Sequence, residues 1–310
     1  MTSALPRPIR IDDPDDPRLD DIRDLNSSDN RPDLPGGKGL VIAEGPLVVP
    51  RLLASRYPVR CVVGFPGKLD AFLSSLSSDA TTLPTDQPVP DCYVVSRETL
   101  KQVAGFDMHR GLVAAADRVE PATVSEVLDE VDARWEAGQA SGIVAVLEGV
   151  GDHENIGALF RNAAGLGVDA VLFGAATADP LYRRSVRVSM GHVLRTPFAK
   201  FPGTTTTWQR DLTELTRRGY TVIALTPNTD VSLQEAVAEA RARATNAGAN
   251  NAGANSARAR VAIMVGAEGP GLTEHAMRAA DIRAAIPMAP GTDSLNVATA
   301  AAIGFYAAAH

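Results

Sequence analysis

The sequence predicts two successive α/β units, the second built on a doubly wound parallel sheet. Three observations carry that expectation. Five short runs rich in Val, Ile, Leu or Ala, at 143–148, 168–173, 221–226, 261–265 and 282–286, have the continuous apolar character of strands buried on both faces. Helix-like segments at 156–166, 208–218, 271–280 and 295–309 alternate with them, and that alternation favours a parallel sheet. A shorter β/α series, from 38 to 118, precedes them and is separated by a polar stretch.

In chain order, residues 1–37 are rich in Asp, Pro, Asn and Ser and show little periodicity, which predicts an acidic, partly ordered arm. The first 38 residues hold nine Asp against six Lys or Arg. Leu40–Ala43 reads as a strand, followed by Glu44-Gly45 and a helix through Leu52 and Leu53. Val59–Val63, Tyr93–Val95 and Leu112–Ala116 read as further strands, with helices at Leu69–Leu76 and 97–104. A Pro- and Ser-rich loop covers 77–90, and GFDMHRG ends at Gly111 just before the last strand. Residues 38–118 therefore predict a small three-layer α/β domain. Residues 119–141 read as a polar, helix-like linker, and 142–310 as the larger domain. Within that domain, 245–258 holds the pentapeptide NAGAN twice, which predicts a low-complexity surface loop without chemistry.

A length of 310 residues suits two ordinary domains, and 45% hydrophobic with 22% charged residues is normal for a globular chain. No apolar run reaches membrane-spanning length and the first residues lack an apolar signal core, so a cytoplasmic protein without a membrane partner is expected. The two cysteines, Cys61 and Cys92, and the five histidines show no metal-ligand spacing, so no metal is expected. A net charge of −7 argues against a wholly basic nucleic-acid coat but leaves room for a local basic patch.

Three stretches carry chemistry. Leu147–Phe173 reads as strand, loop, helix, strand. Ile156, Leu159, Phe160 and Ala163 recur at helical spacing, while Arg161 lies off that stripe and is able to face a ligand. Asp152 and Asn155 are placed to cap the helix, and a solvated arginine on an ordinary βαβ unit is the plain alternative. In Ile263–Leu272, IMVGAEGPGL, a strand runs into Gly266, Gly269 and Gly271, which permit positive φ and close approach of a ligand. Ligands bind at the carboxyl ends of strands in open parallel sheets, and Glu268 stands at that edge. The spacing matches neither a dinucleotide fingerprint nor a P-loop. In Ile286–Phe305 a strand end leads through small residues to Ser294 and Asn296, then to an alanine-rich helix that is either buried or an interface. Ser294 is a candidate N-cap for that helix.

Taken in order, these three stretches resemble the motifs of the SpoU (TrmH) family of RNA ribose 2′-O-methyltransferases, of the SPOUT class, over residues 145–306. The resemblance implies a trefoil-knotted parallel-sheet domain and S-adenosylmethionine as cofactor. It implies a cofactor site at Gly266, Glu268, Gly271, Ile286, Met288 and Leu295, and a catalytic set of Arg161, Asn155, Glu268, Ser294 and Asn296. Arg161 matches the position that binds the ribose and its phosphate, and the alternative for Glu268 is to order its loop through backbone N–H groups. A homodimer is implied too, in which one subunit's arginine completes the other's site. Residues 38–118 resemble the family's ribosomal-protein-like RNA-binding domain, which favours ribosomal RNA over tRNA. Leu181–Lys200 is the main basic patch, with Arg183, Arg184 and Arg187 expected on RNA phosphates or in salt bridges; His109 and Arg110 form a second candidate pair. The competing expectations are a tRNA ribose methyltransferase and a non-catalytic RNA-binding assembly or resistance factor.

Overall fold

The structure, a computed structural model, describes residues 7–27, 37–78, 90–248 and 259–310. The chain divides into two compact units, one of Met1–Glu120 with Pro180–Arg195, the other of Pro121–Asp179 with Thr196–His310.

The first unit contains β1 (Ile9–Arg10), β2 (Leu40–Glu44), α1 (Val48–Leu53), β3 (Val59–Gly64), α2 (Pro66–Ser78), β4 (Asp91–Val94), α3 (Arg97–Ala104) and β5 (Leu112–Asp117). Its strands form one mixed sheet in the order β1-β4-β3-β5-β2. The first three of these run parallel, and β5 is antiparallel to both β3 and β2. Alternate residues of the strands, among them Leu40, Ile42, Val63, Val113 and Ala115, share a core with Leu100 and Val103 of α3. That helix is capped by Ser96, whose hydroxyl accepts from Thr99 N at 3.0 Å, and it stops at Gly105 in the left-handed region.

The acidic arm is more ordered than its composition predicts. Residues 9–10 pair with β4, and Ile11, Leu19, Ile22 and Leu25 are buried in the same core. The apolar residues at 19, 22 and 25 recur every third position, the period of the 3-10 helix Pro17–Ile22, and the Asp residues between them hide the pattern. Residues 1–6 and 28–36 of the expected arm, and 79–89 of the expected loop, lie outside the described residues.

The second unit starts with α4 (Val124–Glu136), then β6 (Ile143–Leu147), α5 (His153–Gly165) and β7 (Ala170–Phe173). The chain next supplies α6 (Arg183–Val188) to the first unit and returns with β8 (Phe198–Lys200). It continues through the 3-10 helix Trp208–Leu212, α7 (Thr213–Arg217), β9 (Tyr220–Leu225), α8 (Leu233–Gly248), β10 (Arg260–Val265), α9 (Glu274–Ala279), β11 (Ile282–Ala284) and α10 (Val297–Ala309). Six parallel strands lie in the order β11-β9-β10-β6-β7-β8. The sheet thus grows outward from β6 through β7 and β8. It then crosses to β9, and β10 enters between β9 and β6.

Four expectations need correction here. The stretch expected as a linker is α4, and it belongs to the second core. Val127, Leu128, Val131 and Trp135 lie on one helical face and pack with Val144, Val146, Leu172 and Met264. Its outer face is charged and its start is a capping box between Thr123 and Glu126, so the composition alone reads as polar. Strand β8 is only three residues long, too short to stand out beside the basic residues before it. Helix α8 runs to Gly248 and so includes the start of the NAGAN repeat, while 249–258 lie outside the described residues. The basic segment expected within the larger domain contributes 180–195 to the first unit.

Helices α5 and α10 pack against each other, and α10 lies on β10. Gly304 permits that approach, since a Cβ there would stand 2.8 Å from Ile263 Cγ2. Phe160 of α5 meets Phe173 and Phe198 with ring centroids 6.1 and 5.8 Å away, which fixes the helix over β7 and β8.

Replacing the fully buried Leu128 by Ala should cost about 2–5 kcal/mol in urea unfolding. A linker helix without a core would show a loss below about 0.5 kcal/mol.

Candidate active site

The carboxyl ends of β9, β10 and β11 open into a cavity of about 560 Å³. Leu225–Asn228, Ile286, Met288 and 293–297 line it together with Val265 and the glycine-rich loop 266–272, its floor. Ligands of open parallel sheets bind at the carboxyl ends of the strands, and the volume falls in the ordinary range for small-molecule sites.

The floor depends on glycine. A Cβ at Gly266 would sit 2.2 Å from both Gly271 C and Leu272 N, so any side chain would force the loop open. Gly271 N donates to Ala267 O at 3.0 Å and closes the turn, with Gly269 and Gly271 at φ +88° and +71°. All six residues expected to hold the cofactor (Gly266, Glu268, Gly271, Ile286, Met288 and Leu295) line this cavity. Thr226 and Asn228 line it as well and were not anticipated. Their only signal is their place just after a strand end.

At the rim the three chemical stretches meet on one side chain. Asn296 Oδ1 accepts from Ala298 N at 3.0 Å and Thr299 N at 3.3 Å, which makes Asn296 the N-cap of α10. Its Nδ2 donates to Asn155 Oδ1 and to Glu268 Oε1, each at 2.9 Å. The amide cannot turn over. Reversal would set its oxygen against a carboxylate and its NH2 against two backbone donors. Asn155 is buried in the first turn of α5, whose cap is Asp152, through a 2.8 Å bond from Glu154 N. Ser294 lines the cavity but does not cap the helix, because α10 begins two residues after Leu295. The loop-ordering alternative gives Glu268 backbone N–H donors; among the described residues its donor is instead the Asn296 side chain.

Arg161 stands apart from this junction. It is exposed on α5, does not line the cavity, and makes no hydrogen bond or ion pair among the described residues.

The expected RNA-binding residues all fall in the first unit. Arg183 Nη1 donates to Glu44 Oε1 at 2.8 Å, with both side chains largely buried, and its guanidinium lies 5.0 Å from the Phe106 ring centre. That charge is consumed within the fold, which corrects the expectation of a phosphate contact at Arg183. Arg184 is exposed and Arg187 half-buried. His109 and Arg110 are exposed, and Arg110 Nη1 donates to Glu44 O at 3.4 Å. Glu44 therefore joins the two basic groups, far apart in sequence, through its carboxylate and its carbonyl.

The pattern of the SpoU rRNA methylase family matches residues 142–306. A protein of Mycobacterium tuberculosis named as an uncharacterized tRNA/rRNA methyltransferase is 48% identical over 295 residues, covering 95% of this chain and 89% of that one. A 23S rRNA (guanosine-2′-O-)-methyltransferase of Ralstonia nicotianae is 28% identical over 212 residues, 68% of this chain and 73% of its own. In structure, an AdoMet-bound rRNA methyltransferase from Sinorhizobium meliloti aligns over 97% of both chains, with a TM-score of 0.67 and 21% identity. The chain belongs to the SpoU family of RNA methyltransferases.

If the Asn155–Asn296 bond carries energy, the two sites will not be independent. Asn155→Ala and Asn296→Ala should each destabilise, and the double variant should lose about 1 kcal/mol less than their sum in chemical unfolding. Additive losses would mean the contact contributes nothing.

Proposed function

We propose that this chain transfers the methyl group of S-adenosylmethionine to a ribose 2′-hydroxyl in ribosomal RNA. The observation that carries this reading is the junction of Asn155, Glu268 and Asn296 at the rim of a cavity whose floor only glycine can form. The relative acting on a guanosine 2′-oxygen of 23S rRNA supports the choice of atom and of RNA.

The cavity suits the cofactor in size and in chemistry. Its floor exposes backbone at Gly266–Gly271, and Ile286, Met288 and Leu295 supply apolar walls. Backbone N–H and C=O groups suit an adenine edge, which offers both an acceptor and a donor. The bound cofactor supplies an electrophilic methyl on a sulfonium. The protein's task is then to bring a ribose oxygen into line with it, and positioning of this kind can account for much of a rate enhancement.

Asn296 holds the entrance of that line, fixing Glu268 and Asn155 against the start of α10. Arg161 holds the RNA: a guanidinium keeps its charge across the physiological range and binds phosphate in a bidentate manner. Its exposed position outside its own subunit's cavity lining supports a homodimer in which it serves the partner's site. The apolar, alanine-rich α10 supports such an interface. The entry of β10 between β6 and β9, followed by α10 packing on α5, supports a knotted chain path in this unit. In the first unit, Arg184, Arg187, His109 and Arg110 serve as the RNA-facing residues.

Arg161→Ala should lower transfer on the order of 100-fold or more, with cofactor affinity by calorimetry unchanged. Mixing Arg161→Ala subunits with Gly266→Val subunits tests the shared site. Service in trans restores activity that neither homodimer has, whereas mixtures that stay inactive would place the arginine with its own subunit's site.

A further inference from the structure

Glu148 closes the C-terminal end of β6 and is 4% exposed, a carboxylate that no sequence motif singled out. Among the described residues it has no cationic partner, which makes its burial costly unless donors surround it. They do. Oε1 accepts from Trp208 Nε1 at 2.8 Å, Gln209 Nε2 at 3.0 Å and Thr273 Oγ1 at 2.9 Å, and Oε2 accepts from Thr273 N at 2.7 Å.

The position of these bonds in the chain gives them a consequence for the cavity. Thr273 is the residue at which the glycine-rich floor, 266–272, ends and α9 begins. The floor starts directly after Val265, and Val265 O accepts from Glu148 N at 3.0 Å. One residue therefore grips both ends of the loop, its entry by backbone and its exit by side chain. Between those two points the loop closes on itself at Gly266, Ala267 and Gly271.

We propose that Glu148 is a positioning residue that holds the glycine-rich floor in its cofactor-binding shape by clamping the loop at Val265 and Thr273. The proposal rests on reading the cavity as the S-adenosylmethionine site. Charge and hydrogen-bond direction both matter, since the four donors require an acceptor on each oxygen. In Glu148→Gln, whichever way the amide turns, its NH2 faces donors that the carboxylate had satisfied.

The test compares wild type, Glu148→Gln, Trp208→Phe and Thr273→Val as full-length proteins. Two readouts are used, S-adenosylmethionine titration by calorimetry and hydrogen exchange of the 266–273 backbone without ligand. Glu148→Gln should raise the Kd and the KM for S-adenosylmethionine on the order of ten-fold with kcat at saturation retained, and should lose exchange protection in the loop. Trp208→Phe removes a donor that lies off the loop and should shift both readouts less than Thr273→Val, which removes a donor on the loop itself and should shift them in the direction of Glu148→Gln. Unchanged affinity and protection in Glu148→Gln would overturn the proposal. If Glu148→Gln does not fold, equal effects of Trp208→Phe and Thr273→Val would overturn it, and the expected difference would support it. If wild type binds no S-adenosylmethionine, the cofactor reading fails, and the exchange comparison still decides whether Glu148 clamps the loop.

Discussion

The donation of Asn296 Nδ2 to Asn155 and Glu268 is the contact on which the site depends. It joins the start of α5 to the loop after β10 and the start of α10, with Asn155 lying 141 residues before Asn296 and Glu268 28 residues before it. Each is held locally by its own chemistry: Asp152 caps α5, Gly266 admits the tight loop, and two backbone N–H groups fix the Asn296 amide. The junction adds relative position. Because the same amide both caps a helix and donates twice, its orientation is fixed before any ligand arrives, and a preorganised polar group need not be reoriented during a reaction.

Behind that junction stands the sheet order. With β10 between β9 and β6, the loops after β9, β10 and β11 share one edge, and α10 returns to pack on α5. Gly304 sets how near α10 comes to β10, and hence where the N-cap of that helix lies. The cavity is thus a product of strand order and of two close approaches, one at Gly266 and one at Gly304, each of which a single Cβ would obstruct.

Much of this was legible in the sequence, and what was not has physical causes. The stripe Ile156, Leu159, Phe160 and Ala163 is buried as its period implied. The glycines of 266–271 pointed to a tight loop with positive φ, which is what forms, and the residues read from the family resemblance as cofactor contacts line one cavity. The cap of α10 was misplaced by two residues, because Ser294 and Asn296 are both good caps and only the backbone path decides between them. The role of α4 was missed because its outer face is charged, and the order in 7–27 because a three-residue period is masked by Asp. Glu148 and Glu44 were invisible as partners: a lone acid at a strand end gives no hint that its donors come from more than fifty residues away. Arg183 shows the same limit from the other side, since its charge looked available until Glu44 was placed beside it.

The central claim is that the cavity and its junction serve methyl transfer to a ribose oxygen. The most direct measurement incubates the protein with methyl-labelled S-adenosylmethionine and, in separate reactions, ribosomal RNA and tRNA from cells lacking it. The RNA is then digested to nucleosides, and the labelled product is identified by mass spectrometry. The account predicts label in a 2′-O-methylribonucleoside. Label on a base, or in tRNA with none in ribosomal RNA, would contradict it.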